Sequence, residues 1–423
     1  MATPVNVEKK APAVFLVGIN DKKTSNAESE SLIKELAGLS NTLGLEIIGK
    51  ETVNPREKNI QYGMGTGKAA EIAEKAASMG AECLIFDRDI SPSQQRNWEK
   101  LAKIPVMDRQ ELIIQIFSGR ARTKEAALQT ELAELNYTLP RLQHKYIDLN
   151  RQRGGRYGTR GSGETRLETD RRQIEQRIGR LEDEIAEIRK QRETQRKQRQ
   201  RRQIPTAALI GYTNAGKSSL LNKMTGAAVF AEDKLFATLD STSRRMELPG
   251  GMQVLLIDTV GFIRRLPHSL IRAFQSTLEE ACLSDLLIHV LDASDPDAES
   301  QYETTISVLQ DLGAVDIKRI IVLNKADKPE AAESIDRLLK TFQGSIAVSA
   351  VSGDGLSALL AQMDSMLAGN FQRYSFPQHR TDLAAMLHRS GTVLSEKYVG
   401  ERIEMEALVD SATAGRLREF SQK

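Results

Sequence analysis

The sequence predicts a multidomain α/β protein, on three observations. Two separate stretches, 12–120 and 205–370, alternate strand-length apolar runs with segments whose apolar residues recur at helical spacing. Between them the apolar period changes to that of a coiled coil. At 423 residues the chain is also too long for one ordinary core. The expected layout is an N-terminal α/β domain at 1–122, an antiparallel helical hairpin at 123–203, a second α/β domain at 204–370 and a small α+β domain at 371–423.

In the first domain, "AVFLVGI" (13–19), "LEIIGKETV" (45–53) and "ECLIFD" (82–87) read as strands of a mostly parallel sheet. "ESESLIKELAGLSNTLG" and "GKAAEIAEKAASMG" read as the helices between them. The glycine-rich "YGMGTGKAAEIAE" (62–74) suggests a turn opening a helix. As a second nucleotide site it would lack a metal-binding hydroxyl, because Ala69 follows Lys68.

Leu128, Leu132, Leu135, Leu139, Leu142, Tyr146 and Leu149 form a heptad seam, and Ile174, Ile178, Leu181, Ile185 and Ile188 form a second. Neither stripe can be buried alone, so the two helices should pair as a hairpin, with Pro140 bending the first without ending it. A helix over 125–150 would run roughly 39 Å at 1.5 Å per residue. Its tip would carry "QRGGRYGTRGSG" (152–163), a loop too glycine-rich for a packed core. The run "RKQRETQRKQRQRRQ" (189–203) is strongly basic and reads either as a solvated helix end or as a nucleic-acid contact.

Strands of the second α/β domain are expected at 206–212, 254–258, 286–292, 319–323 and 345–349. "GYTNAGKSS" follows the first of them and fits the phosphate-loop pattern at Gly211, Gly216, Lys217 and Ser218, with Tyr212, Thr213, Asn214 and Ala215 between. The glycines let backbone N–H groups wrap a polyphosphate, Lys217 reaches its β and γ phosphates, and Ser218 ligates Mg²⁺. "NKAD" (Asn324, Lys325, Ala326, Asp327) selects the base. The Asp327 carboxylate can accept from both guanine N1–H and its exocyclic amine, a donor pair that adenine lacks, while Lys325 packs over the purine. "SAVSG" supplies Ser349, Ala350 and Val351 as the base-side loop, with the Ala350 backbone facing guanine O6.

"LLIDTVGF" gives Asp258, Thr259, Val260 and Gly261: Asp258 for Mg²⁺ through water and the Gly261 N–H for the γ phosphate. "LFATLDSTSR" gives Phe236, Ala237, Thr238, Leu239 and Asp240, with Thr238 a Mg²⁺ ligand that orders a switch loop on triphosphate. Lys217, Thr238 and Gly261 are thus the catalytic candidates of a P-loop GTPase domain. Phe262 stands where a water-orienting glutamine is found in Ras-like proteins, so hydrolysis by the chain alone should be slow. Asn214 resembles the asparagine of potassium-activated GTPases, which adds K⁺ to GTP and Mg²⁺ as an expected cofactor.

Charged residues (27%) and hydrophobic residues (40%) are in globular proportion. Lys+Arg (59) nearly cancel Asp+Glu (57), so net charge selects no partner. Cys83 and Cys282 exclude a disulfide framework and fit a reducing cytosol as small buried apolar groups. No 18-residue apolar run and no signal peptide are visible, and a cytoplasmic protein is expected. The five histidines lack ligand spacing and are expected at the surface or as hydrogen-bonded core residues.

"GYTNAGKS", "FATLD", "DTVGF" and "NKAD", together with "GSGETRLETDRRQIEQRI" behind the leucine helix and glycine loop, resemble the HflX family of translational GTPases over nearly the whole chain. Ser241 departs from the proline expected in that family. The resemblance implies a monomeric GTPase that binds the large ribosomal subunit, chiefly through rRNA, and splits stalled or idle ribosomes under stress. It also implies that the ribosome stimulates GTP hydrolysis. Arg151, Arg153, Arg156 and Arg160 would meet phosphates and Tyr157 would stack on an unpaired base. Two other readings stay open: an rRNA-binding module that GTP merely stabilises, and an ATP-dependent RNA remodeller using the N-terminal glycine turn.

Overall fold

The computed structural model describes residues 11–20, 24–55, 59–152, 162–202, 204–226, 235–236, 242–265, 281–367, 371–409 and 411–422. By its internal contacts the chain divides into two compact units. The first is Met1–Gln191 with Ala231–Asp240 and Val260–Thr277, and the second is Arg192–Phe230, Ser241–Thr259 and Leu278–Lys423.

The first unit begins β1 (Ala13–Ile19), α1 (Asn26–Thr42), β2 (Glu46–Val53), α2 (Thr66–Ser78), β3 (Cys83–Phe86), α3 (Pro92–Ala102), β4 (Val106–Asp108) and α4 (Arg109–Arg120). The strands form a parallel sheet of order β2-β1-β3-β4. Every residue of β1 is buried, as a central strand covered on both faces requires. Side chains set the helix starts: Ser25 accepts from the Glu28 N–H, Ser91 and Gln94 form a capping box behind Pro92, and Asp108 caps α4 through the Glu111 N–H. β4 escapes sequence reading because three residues carry no period. At the glycine-rich turn, Lys68 lies between Glu51 (3.0 Å) and Glu71 (2.7 Å). These carboxylates make the position unfavourable for a phosphate.

α5 (Lys124–Gln152) and α6 (Ser162–Arg202) follow. Pro140 lies inside α5 and does not end it. Leu128 packs with Leu181 and Ile185, joined by Leu132, Leu135 and Ile188, so these parts of the two seams meet as the heptads predict; the side chains of Tyr146 and Leu149 lie outside the described residues. Glu131 receives a two-pronged bond from Arg177 at 2.7 and 2.8 Å, and Lys124 faces Glu184 at 3.9 Å. The opposed order of these pairs makes the helices antiparallel. Arg141 fixes α5 to the sheet, donating to Asp108 (2.9 Å), to the Ile90 carbonyl (3.0 Å) and to Gln95 (2.9 Å).

The second unit contains β5 (Thr206–Gly211), α7 (Lys217–Thr225), β6 (Thr242–Glu247), β7 (Gln253–Asp258), β8 (Leu286–Asp292), α8 (Ala298–Asp311), β9 (Arg319–Asn324), α9 (Pro329–Thr341), β10 (Ile346–Ala347) and α10 (Leu356–Leu367). The sheet order is β10-β9-β8-β5-β7-β6, parallel except for the edge strand β6. The order reverses at β5, so the loop leaving its carboxyl end lies at the switch point where α/β sheets bind ligands. β6 was not expected, and β10 spans two residues rather than five.

Residues after 370 form β11 (Phe371–Pro377), α11 (Thr381–Ser390), β12 (Gly391–Val399), β13 (Arg402–Val409), α12 (Ser411–Arg416) and β14 (Ser421–Gln422). Their sheet order, β12-β13-β11-β14, is that of a ferredoxin-like βαββαβ unit. Tyr374, Phe376, Leu387, Ile403 and Met405 supply its own core.

Two expectations need correction. Cys83 and Cys282 are half-buried rather than buried. His289 is a core residue, stacked on Tyr302 at 4.9 Å, but neither ring nitrogen has a hydrogen-bond partner among the described residues. Burial pushes its pKa down to about 3, so the ring stays neutral. No helix among the described residues is long and apolar enough to cross a membrane.

Candidate nucleotide site

β5 ends at Gly211, whose φ is +141° and where a Cβ would lie 2.2 Å from the Val290 carbonyl oxygen. Gly216, at φ +91°, would place a Cβ 2.2 Å from Asn324 Nδ2. Only glycine fits either position, and Asn214 between them takes a left-handed φ of 62°. The loop delivers the chain to α7, whose first turn has no side-chain cap. Those amides are the donors an anion would take up.

The Lys217 ammonium is buried and donates to the carbonyls of Gly211 (3.2 Å) and Tyr212 (2.7 Å). Burial pulls its pKa down to about 8 against the opposing charge of Asp258, with Lys325 adding to the fall. The buried Thr213 hydroxyl has no partner among the described residues. Ala215 is buried, and its carbonyl accepts from Asn324. Together a buried cation, the Thr213 hydroxyl and a helix N-terminus lie along one loop, a donor set suited to polyphosphate.

Ser218 Oγ donates to Asp258 Oδ2 at 2.5 Å, at the end of β7. Thr259 Oγ1 donates to the Leu209 carbonyl at 2.7 Å, tying the following segment to β5. A hydroxyl beside a carboxylate suits a hard cation that keeps water and phosphate oxygens. No group of three or more His, Cys, Asp or Glu forms a metal cage among the described residues. Val260, Gly261 and Phe262 are buried.

On the base side, Asn324 ends β9 and bridges two loops. Its Nδ2 donates to the Ala215 carbonyl at 2.9 Å, and its Oδ1 accepts from the Ala350 N–H at 3.1 Å. Guanine O6 would have to share that amide. Lys325, at φ 63°, is steered by Asp292 at 2.6 Å, and Ala326 donates its N–H to the Val348 carbonyl at 3.1 Å. Asp327 is exposed. Ser349 Oγ accepts from the Val351 and Ser352 amides, while Val351 projects into solvent. Lys223 of α7 holds the same loop through the Val351 carbonyl at 2.9 Å.

Phe236 is buried against Phe117. Ala237, Thr238, Leu239 and Asp240 lie outside the described residues, as do Arg153, Arg156, Tyr157 and Arg160; the backbone of Arg151 belongs to α5. Sequence reasoning missed Asp292 and Lys223. The acidic end of the strand "LLIHVLD" was a usable signal for Asp292, whereas nothing local marks Lys223.

A phosphate loop at the switch point of a six-stranded sheet, tied by Asn324 to a guanine-type base loop, defines a P-loop GTPase, which hydrolyses GTP to GDP and phosphate. Residues 30–118, 120–199 and 206–325 match the families described as GTP-binding GTPase N-terminal, GTP-binding GTPase middle region and 50S ribosome-binding GTPase. The chain is 45% identical to the GTPase HflX of Akkermansia muciniphila over 419 residues, covering 96% of each. It is 41% identical to that of Escherichia coli K12 over 353 residues, 83% of this chain and 82% of the relative. A GTP-binding protein from Sulfolobus solfataricus, solved with GDP, overlaps 84% of this chain and 98% of its own at 22% identity and a TM-score of 0.43, too loosely to bear on the site. The chain belongs to the HflX family of GTPases.

Proposed function

We propose that the protein docks on the large ribosomal subunit in its GTP form, separates stalled or idle ribosomes into subunits, and leaves when GTP is hydrolysed. The observation that carries this reading is the antiparallel α5–α6 pair, rooted on the sheet through Arg141 and joined through the Gly/Arg-rich residues 153–161. The match of residues 206–325 to a 50S ribosome-binding GTPase family supports the same partner. A helical pair joined by a glycine-rich segment with arginines and one tyrosine suits an irregular rRNA surface. Such work is cytoplasmic and needs one copy per ribosome. The four domains at 1–122, 123–203, 204–370 and 371–423 are assigned as RNA-facing base, arm, engine and accessory module.

In the engine, Lys217 exchanges the Gly211 and Tyr212 carbonyls for β and γ phosphate oxygens. Ser218 and Thr238 would ligate Mg²⁺, with Asp258 acting through water, and the ion neutralises developing phosphate charge. The Gly261 N–H reports the γ phosphate, and Asp327 reads guanine. The buried Phe262 supplies no hydrogen bond to an attacking water, so hydrolysis is slow until the ribosome, or K⁺ at Asn214, completes the site. Sedimentation of 70S particles tests both assignments. GTP or a non-hydrolysable analogue should yield free subunits with the wild type. With Asp327→Asn, XTP should do so and GTP should not. Intact 70S particles in every wild-type lane would refute splitting, and undiminished GTP use by the variant would refute the guanine contact.

A further inference from the structure

Asp292 and Lys325 stand at the carboxyl ends of the neighbouring parallel strands β8 and β9 and close an ion pair across them. Asp292 is in register with Asn324, and the ladder runs one bond further, from the Ala293 N–H to the Asn324 carbonyl at 2.9 Å. The Asp292 carboxylate is divided between two tasks. Oδ1 accepts from the Ser294 N–H at 3.0 Å and from its hydroxyl at 2.6 Å, which orients the carboxyl group. Oδ2 lies 2.6 Å from the Lys325 ammonium. The two side chains are only 13% and 18% exposed, so salt screens this pair less than one at the surface.

The backbone at Lys325 takes a left-handed φ of 63°, and the side chain crosses the phosphate loop: Cε lies 3.9 Å from where a Cβ on Gly216 would stand. Its methylenes are thus held at both ends, by the backbone just past β9 and by Asp292 at the ammonium. Without such an anchor a lysine stem is flexible and rich in rotamers. Burial does most to lower the pKa of Lys217, and the charge of Lys325 adds to it. The carboxylate of Asp292 therefore also holds a second cation back from the place Lys217 serves.

We propose that Asp292 is a positioning residue for nucleotide binding: it anchors the Lys325 ammonium so that the lysine stem is laid in advance as an apolar shelf for the purine. This rests on the reading of Lys325 and Asp327 as base-side contacts. A shelf ordered beforehand saves the cost of ordering it when the nucleotide arrives. It meets the base and not the phosphates, so its loss weakens GTP and GDP equally and leaves the chemical step alone.

The test uses the full chain, with GDP and a non-hydrolysable GTP analogue titrated separately and hydrolysis followed in a single turnover at saturating GTP. Asp292→Asn should weaken both nucleotides about 3- to 10-fold, the cost of ordering one long side chain, with the saturated rate within about twofold of wild type. Lys325→Met keeps an apolar stem and needs no anchor, so adding Asp292→Asn to it should cost GDP nothing further. Wild-type affinity in Asp292→Asn, losses that add in the double variant, or a saturated rate that falls as far as the affinity would each overturn the proposal. Ser294→Ala leaves the carboxylate in place but frees its orientation, and serves if Asp292→Asn fails to fold; unchanged GDP affinity there counts against the anchor. Asp327→Asn, with the ion pair intact, tests the reading beneath it. If that variant still prefers GDP to XDP, the base-side reading falls. If its preference shifts to XDP while Asp292→Asn binds GDP as wild type does, the anchor alone is refuted.

Discussion

Asn324 donates to the carbonyl of Ala215 at 2.9 Å, joining the end of β9 to the phosphate loop across 109 residues of chain. Its other amide atom holds Ala350, so one buried side chain sets the distance between the phosphate loop and the candidate base-side loop. Asn324→Ala leaves a carbonyl and an amide without partners. A loss of about 1–3 kcal/mol, or roughly 5- to 150-fold, is expected for GTP and GDP alike by fluorescence titration. A loss confined to GTP would contradict this scaffold role.

Lys217 gives a pH prediction. Burial holds its folded pKa near 8, below the usual 10.5 of lysine. The unfolded chain therefore binds more protons between about 8 and 10.5, and this residue's contribution makes the nucleotide-free protein more stable as pH rises through that window. Phosphate should restore the charge, so GTP binding takes up a proton at pH 9, and affinity declines by up to about tenfold from pH 8 to 9. Calorimetry in buffers of different ionisation enthalpy counts that proton directly.

Three glycines with left-handed φ separate strain from collision. At Gly226 (φ +65°) a Cβ meets nothing within 4 Å among the described residues, so Gly226→Ala should cost only about 1–2 kcal/mol in thermal unfolding. At Gly216 the Cβ strikes the Asn324 side chain, so Gly216→Ala must break that residue's bonds to Ala215 and Ala350, and nucleotide affinity should fall with stability. At Gly211 it strikes the backbone of β8, which cannot, and Gly211→Ala should unfold the sheet at ordinary temperatures.

The chemistry of the site was legible because it is local. Gly211 to Ser218 and Asn324 to Asp327 are short runs whose residue types match a phosphate-loop pattern and a base-loop pattern. The heptads at Leu128 and Leu181 were legible for the same reason. Arg109 was not: its partners lie 22, 74 and 155 residues away, and nothing around it in sequence marks a buried cation. β6 was hidden because "TSRRME" is a mostly exposed edge strand with no apolar alternation. His289 misled because a histidine in an apolar strand suggests a bonded partner, and only the fold reveals that Tyr302 stacks there instead.

The arginines of the 152–163 loop offer a direct test of the arm. Replacing Arg153, Arg156 and Arg160 with alanine should weaken binding to isolated large subunits and flatten its salt dependence, with GDP affinity unchanged. Undiminished pelleting with subunits would make the loop a connector only.

The pairing of Lys124 with Glu184, and of Glu131 with Arg177, gives the two helices a common step. Seven residues forward on one correspond to seven residues back on the other. The arm is therefore a ruler graduated in heptads. Adding one heptad to both strands keeps every pair in register and moves the tip outward by about 10 Å, whereas adding one to a single strand breaks the scale. The length of the helical pair is thus written in the number of its heptads.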